Sequence, residues 1–233
     1  MGGPGMNWAA PVLEAADGAA FRARHAWCVG RNYAEHAREM GAEPAAAGSG
    51  SPIFFSKPAT ALQQSTAVPF PPRTGELHHE VELVALLGRG GRDLNWDSAL
   101  RCVIGWAVGC DLTRRDVQAK AKQAGHPWAL SKGFDGSGPV GRWLPAAQWT
   151  PAPEHPVSLE VNGEPRQQAL LGDMIWPVGE LLARLSREVT LHAGDVLFTG
   201  TPAGVGPLRP CDRVEARIDG LPPLDFEIIN PVR

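Results

Sequence analysis

The chain has no apolar run long enough to cross a bilayer, so no membrane-spanning helix is expected. It has no basic run, and its formal net charge is −3, which argues against nucleic acid as a partner. Met1 to Ala20 contain neither Lys nor Arg and no leucine-rich core, so no secretory signal is expected there. Gly2 is not followed by the Ser or Thr of a myristoylation match. The four cysteines, Cys28, Cys102, Cys110 and Cys211, include no C-x-x-C pair. They read as reduced thiols, which makes the cytoplasm the expected compartment. Internal repeats are missing, which excludes solenoids and propellers. Strong helical patterns are few, whereas proline (22) and glycine (27) are plentiful, and that balance predicts a strand-and-turn-rich chain.

What is present is enough to bury one sizeable core. With 233 residues, a short lead-in over 1–26 and a single main domain over 27–233 are expected. The most informative stretch is Leu77-His78-His79-Glu80-Val81-Glu82-Leu83, continuing into Val84-Ala85-Leu86-Leu87. It reads as one strand entering a core. Residues two apart share a face, so Glu80 and Glu82 point one way and Val81 and Leu83 the other. Paired carboxylates near a core repel each other, and a hard divalent cation removes that cost. The plainer alternative is an edge strand with a solvated acidic face. Zinc bound by His78 and His79 is disfavoured, because strand neighbours face opposite ways. Arg101–Cys110 is a second apolar strand, and it delivers Asp111 at its end.

Between Asn32 and Gly41 a two-turn helix is expected, with Asn32 as N-cap, Glu35 completing a capping box and Gly41 as the stop. His36 and Glu39 then share one face, and a carboxylate beside an imidazole fixes its tautomer and raises its basicity. The alternative is a solvated pair. A second helix is expected to start at a Thr113 cap, with Asp116 in the capping-box place, and to stop at Gly125. Arg115 and Gln118 lie on one face of it, and Arg suits a bidentate grip on a carboxylate, although spacing alone favours solvated surface. Lys132 stands among apolar residues, where it would either stabilise an oxyanion or snorkel outwards.

Other segments frame these. Ala42–Ser51 reads as a mobile loop, Val68–Pro72 as no central strand, Asn162-Gly163 as a hairpin turn and Pro177–Ser186 as a core-facing helix. The glycine-rich loop Thr199–Gly206 is neither a P-loop nor a dinucleotide fingerprint. Its amides and hydroxyls are a candidate anion cradle, or a plain turn.

Four motifs in this order resemble the fumarylacetoacetate hydrolase family: Val29-Gly30-Arg31-Asn32-Tyr33, His78–Leu83, Asp111–Gln118 and Thr199–Gly206. The likeness spans about Trp27 to Glu227. It is nearest to the small bacterial branch and to acylpyruvate hydrolase and oxaloacetate decarboxylase proteins. The resemblance implies a mainly β fold with short helices, a mixed β-roll or distorted sandwich, with 27–233 as the catalytic domain and a homodimer as the usual assembly. It implies Glu80, Glu82 and Asp111 as ligands of Mg²⁺ or Mn²⁺, and His36 with Glu39 as the dyad that activates water. It places Lys132 against an enolate and Arg31, Arg115, Gln118 and Thr201 around a small 2-oxo acid.

The implied reaction is cleavage of an acylpyruvate to pyruvate and a carboxylic acid through an enolate held by the metal. Oxaloacetate tautomerisation or decarboxylation is the alternative on the same site, and a catalytically silent binder of metal or 2-oxo acid is the alternative of another class. Two departures stand out. Gly133 replaces the usual Ser or Ala, which is expected to loosen that backbone, and Cys211 stands where Gly is usual.

Overall fold

The structure, a computed structural model, describes residues 10–41, 43 and 50–230. Most of the expected loop over Ala42–Ser51 lies outside them. The first half runs β1 (Val12–Glu14), β2 (Ala20–Arg22), β3 (His25–Gly30), α1 (Ala34–Glu39), β4 (Ile53–Pro58), β5 (Leu62–Gln63), β6 (Ala67–Pro69), β7 (Leu77–His79), β8 (Val81–Leu87), α2 (Trp96–Leu100) and β9 (Val103–Cys110). The second runs β10 (Thr113–Arg114), α3 (Arg115–Ala124), α4 (Ala129–Lys132), β11 (Gly138–Pro139), β12 (Leu144–Pro145), β13 (Pro156–Val161), β14 (Glu164–Leu170), α5 (Val178–Glu188), β15 (Asp195–Phe198), β16 (Gly206–Leu208), β17 (Arg213–Ile218) and β18 (Leu224–Ile229). The fold is mainly β, and its helices are short.

A mixed six-stranded sheet, order β12-β9-β8-β15-β3-β4, forms the centre. Its strand β8 is buried at all seven positions, because both faces are covered. Val81, Leu83, Ala85 and Leu87 face a large core shared with β13, β17, β18 and α5. Val84 and Leu86 face a second core with Ala26, Cys28, Val196 and Phe198. The near-continuous apolar run of β8 is what a doubly covered strand requires. The five-stranded sheet, order β14-β13-β17-β18-β6, closes the first core as the other layer of a distorted sandwich. The short strand β6 is its edge, in keeping with the missing donor of Pro69, and Pro71 and Pro72 follow outside it. Asn162 (φ 55°) and Gly163 (φ 77°) turn the β13–β14 hairpin, and α5 follows Pro177 as its spacing predicts.

Several expectations are corrected. Leu77–Leu87 is two strands, not one: β7 leaves at Glu80 for a three-stranded sheet, order β10-β7-β16, while β8 enters the six-stranded one. The lead-in carries the β1–β2 hairpin, whose Leu13 and Phe21 cap the second core. Asn32 does not cap α1. Tyr33 holds that position without a side-chain bond, and Asn32 is committed elsewhere. Thr113 lies in β10 paired with His78, and Arg114 is the residue before α3. Asp116 turns instead to the Thr74 hydroxyl and the Gly75 amide. At Gly133 a Cβ would sit 2.9 Å from Pro58 Cδ, so the glycine serves a close approach there. Cys211 adopts φ +75°, the left-handed geometry for which Gly is the easy choice.

Candidate active site and metal centre

The site grows out of the break between β7 and β8. Because Val81 pairs with Cys110, the residues just beyond, Glu80 and Asp111, stand opposite each other. The Asp111 N–H donates to the Glu80 carbonyl at 2.8 Å. Glu82, two residues on, shares the face of Glu80. One oxygen from each of Glu80, Glu82 and Asp111 comes within 4.8 Å of the other two, and all three residues are buried. The three carboxylates are thus brought to one point.

Cations surround them. Lys132 Nζ donates to Glu80 at 2.7 Å and to Asp111 at 2.6 Å. Arg115 donates to Glu80, and at 2.7 Å to Gln118. Lys132 therefore does not snorkel, and Arg115 is not solvated surface. Lys57, fully buried, lies 2.7 Å from Asp111 Oδ1 at an angle unsuited to a hydrogen bond, and donates to the carbonyls of Leu112 and Lys132. Burial alone would raise the Glu80 pKa, but Lys132 and Arg115 outweigh it and hold it well below the carboxylate range. Burial also pushes Glu82 well up, and the neighbouring charges of Asp111 and Glu80 push it further. Three buried carboxylates crowded together, one of them pushed toward its neutral form by the other two, are what a hard cation among oxygen donors would relieve, so this donor set fits Mg²⁺ or Mn²⁺.

The dyad forms beside it. His36 is buried on α1, and its Nδ1 lies 3.1 Å from Glu39 Oε2. The other Glu39 oxygen accepts from the Gly204 N–H at 3.1 Å. Glu82 accepts from the Gly200 N–H at 2.7 Å. The loop expected to cradle an anion thus spends these amides on the site's own carboxylates. Gly200 is forced by φ +96° and by Asn32, whose Cβ a side chain there would meet at 2.7 Å.

Arg31, His36, Glu80, Arg115, Gln118, Lys132 and Thr201 line a single pocket, with Phe55, Lys122 and Trp128 completing its wall. Sequence reasoning missed the residues that brace it. Asn32 donates to the carbonyls of Trp176 and Thr199 and accepts from the Trp176 N–H. Gln167 donates to Thr201 Oγ1 at 2.8 Å and accepts from the Val81 N–H at 3.1 Å. Lys57 had one visible signal, a lysine inside the apolar strand Ile53-Phe54-Phe55-Ser56-Lys57.

A mixed β fold that gathers three buried carboxylates beside a His–Glu pair and a buried lysine has the donor set of a metal centre. Residues 25–229 match the model of the fumarylacetoacetate hydrolase C-terminal family, and the chain belongs to that family. It is 42% identical to oxaloacetate tautomerase YcgM of Escherichia coli, over 92% of this chain and 94% of that one. It is 39% identical to the mitochondrial oxaloacetate tautomerase FAHD1 of Arabidopsis thaliana, over 88% and 91%. The structure of fumarylpyruvate hydrolase from Pseudomonas aeruginosa with Mn²⁺ and pyruvate superposes with TM-score 0.91 at 41% identity, covering 96% of this chain and 97% of that one.

Proposed function

We propose that this chain is a Mg²⁺- or Mn²⁺-dependent hydrolase that cleaves acylpyruvates to pyruvate and a carboxylic acid. The observation that supports the reading is that one pocket is lined both by Glu80, a member of the Glu80–Glu82–Asp111 cluster, and by His36, which pairs with Glu39. When bound, the divalent ion would be held by those three carboxylates and would supply Lewis acidity toward a 2-oxo acid.

The chain's own residues supply the rest. Glu39 accepts from His36 Nδ1–H, which leaves Nε2 free to take a proton from water as the water oxygen bonds to the distal carbonyl carbon. The C3–C4 bond of the acylpyruvate then breaks. Its electron pair moves onto C3 and the 2-keto oxygen, where Lys132 opposes the growing negative charge. Return of a proton to C3 completes pyruvate. Arg31, Arg115, Gln118 and Thr201 orient the substrate. Arg115 does so while tied to Glu80 and Gln118, which fixes its plane in advance.

The oxaloacetate tautomerases among the relatives favour a second reading on the same groups, keto–enol interconversion of oxaloacetate, in which no water is added; decarboxylation of oxaloacetate would use the same groups. Purified protein assayed on acetylpyruvate, fumarylpyruvate and keto and enol oxaloacetate, with and without Mg²⁺, separates the readings. Pyruvate release from acylpyruvates that vanishes with chelator is expected. Oxaloacetate turnover alone would move the assignment to the second reading, and metal-dependent binding without turnover would move it to a silent binder. The working form is taken to be a cytoplasmic homodimer. No helix among the described residues is long and apolar enough to cross a membrane.

A further inference from the structure

An edge strand brings a buried amide to the break between β7 and β8. β14 is the edge of the five-stranded sheet, and Gln167 is the only buried residue of that strand. The β13–β14 register explains the burial. Leu159 pairs with Gln167 and Glu160 with Pro165, so Arg166 is an extra, bulged residue. A bulge re-aims its strand, and bulges gather beside active sites. Gln167 lies opposite the core residue Leu159 and faces inward with it. The glycine-rich loop lies against the bulge, since a Cβ at Gly204 would overlap the Arg166 carbonyl.

All four hydrogen-bonding positions of the amide are filled. Nε2 donates to the Pro202 carbonyl at 2.9 Å and to Thr201 Oγ1 at 2.8 Å. Oε1 accepts from the Val81 N–H at 3.1 Å and from His79 Nδ1–H at 2.9 Å. A carbonyl only accepts and a backbone N–H only donates, so Pro202 and Val81 fix which end of the amide is which. The Thr201 hydroxyl is therefore the acceptor toward Gln167, and its own proton is left for another partner. Among the described residues nothing accepts that proton, and Thr201 lines the pocket. We propose that Gln167 is a positioning residue that acts through Thr201. It makes the hydroxyl an obligate donor into the pocket, where a bound 2-oxo acid presents only oxygen acceptors. The same amide holds His79 and Val81, the two neighbours of Glu80, so one side chain sets the substrate-facing hydroxyl against the segment that carries Glu80. The inference rests on the reading of Thr201 as a substrate contact, not on which reaction follows.

The test is a double-mutant cycle on pyruvate binding, read by calorimetry on the Mn²⁺-loaded protein. Thr201→Val removes the hydroxyl at nearly constant volume. Gln167→Glu still accepts from Val81 and His79 but offers Thr201 an acceptor, which turns the hydroxyl proton away from the pocket. Each change should weaken pyruvate about tenfold. In the Thr201→Val protein, Gln167→Glu should add no more than about twofold. On any substrate turned over, Gln167→Glu should raise KM with little change in kcat, whereas a general folding defect lowers kcat. Thermal scans should show that Mn²⁺ still stabilises Gln167→Glu. Loss of that stabilisation would place the effect at the metal and overturn action through Thr201. If Gln167→Glu does not fold, Gln167→Met runs the same cycle. Wild-type binding of pyruvate by either single variant, or losses that add in the double variant, overturns the positioning role. Pyruvate binding that follows the cycle in a protein that cleaves no acylpyruvate leaves the role standing and removes the hydrolase reading.

Discussion

The backbone N–H of Asp111 donates to the carbonyl of Glu80 across the β8–β9 ladder at 2.8 Å. This one bond fixes the spacing of two carboxylates that lie far apart in the chain. The same two side chains share Lys132. Ladder register therefore sets the geometry of the donor set, and a one-residue slip would turn Glu80 and Glu82 away from it.

Removing the proposed base is the direct test of hydrolysis. His36→Ala should lower acylpyruvate cleavage by about 10²-fold or more, the usual effect of a lost general base. The comparison is steady-state kinetics beside circular dichroism and a melting curve, to show an intact fold. Undiminished turnover would reject His36 in that role.

Glu82 separates stability from function. Its carboxyl is pushed up by burial and by Asp111 and Glu80, so in chelator Glu82→Gln should leave the melting temperature unchanged or raise it. The same change should remove most of the stabilisation that Mn²⁺ gives wild type. Thermal scans with EDTA and with Mn²⁺ read both effects. A large loss of stability in EDTA would contradict the crowding of like charges.

Lys57 braces the centre from below. Lys57→Met leaves the Leu112 carbonyl without its side-chain donor, the Lys132 carbonyl with the Ser137 hydroxyl alone, and Asp111 without one of its two cations. Loss of one member of a buried pair costs about 3–5 kcal/mol. Urea unfolding should show that loss as a lower midpoint. A midpoint within error of wild type would mean the buried lysine is dispensable.

His78 gives the fold an acid-side weakness. Its pKa is lowered to about 4, first by burial and then by the nearby Arg115. The unfolded chain takes up this proton near pH 6.5 and the folded one only near pH 4, so stability falls as pH drops through that window. His78→Asn should lose less stability than wild type between pH 7.5 and 5.0, so the two urea midpoints converge or cross. Parallel curves would show that His78 does not titrate differently in the two states.

How much of this was legible in the sequence varied with distance along the chain. Glu80 and Glu82 were readable because a period of two is local, and Asp111 because an apolar run ends on it. The break of Leu77–Leu87 at Glu80 was not. An extended chain carries the same pattern whether it stays in one sheet or crosses to another, and the pairing with β9, β10 and β16 decides that. Asn32 and Thr113 look like caps by type and position, yet Asn32 satisfies backbone groups at Thr199 and Trp176, over 140 residues away. A local rule cannot see such a competing partner. Gln167 and Lys57 carried even less signal, since their partners also lie on other strands and loops.

The amides of Gly200 and Gly204 grip Glu82 and Glu39, so one short turn tethers both the proposed metal ligand and the partner of the proposed base. Drift in that turn would disturb both at once.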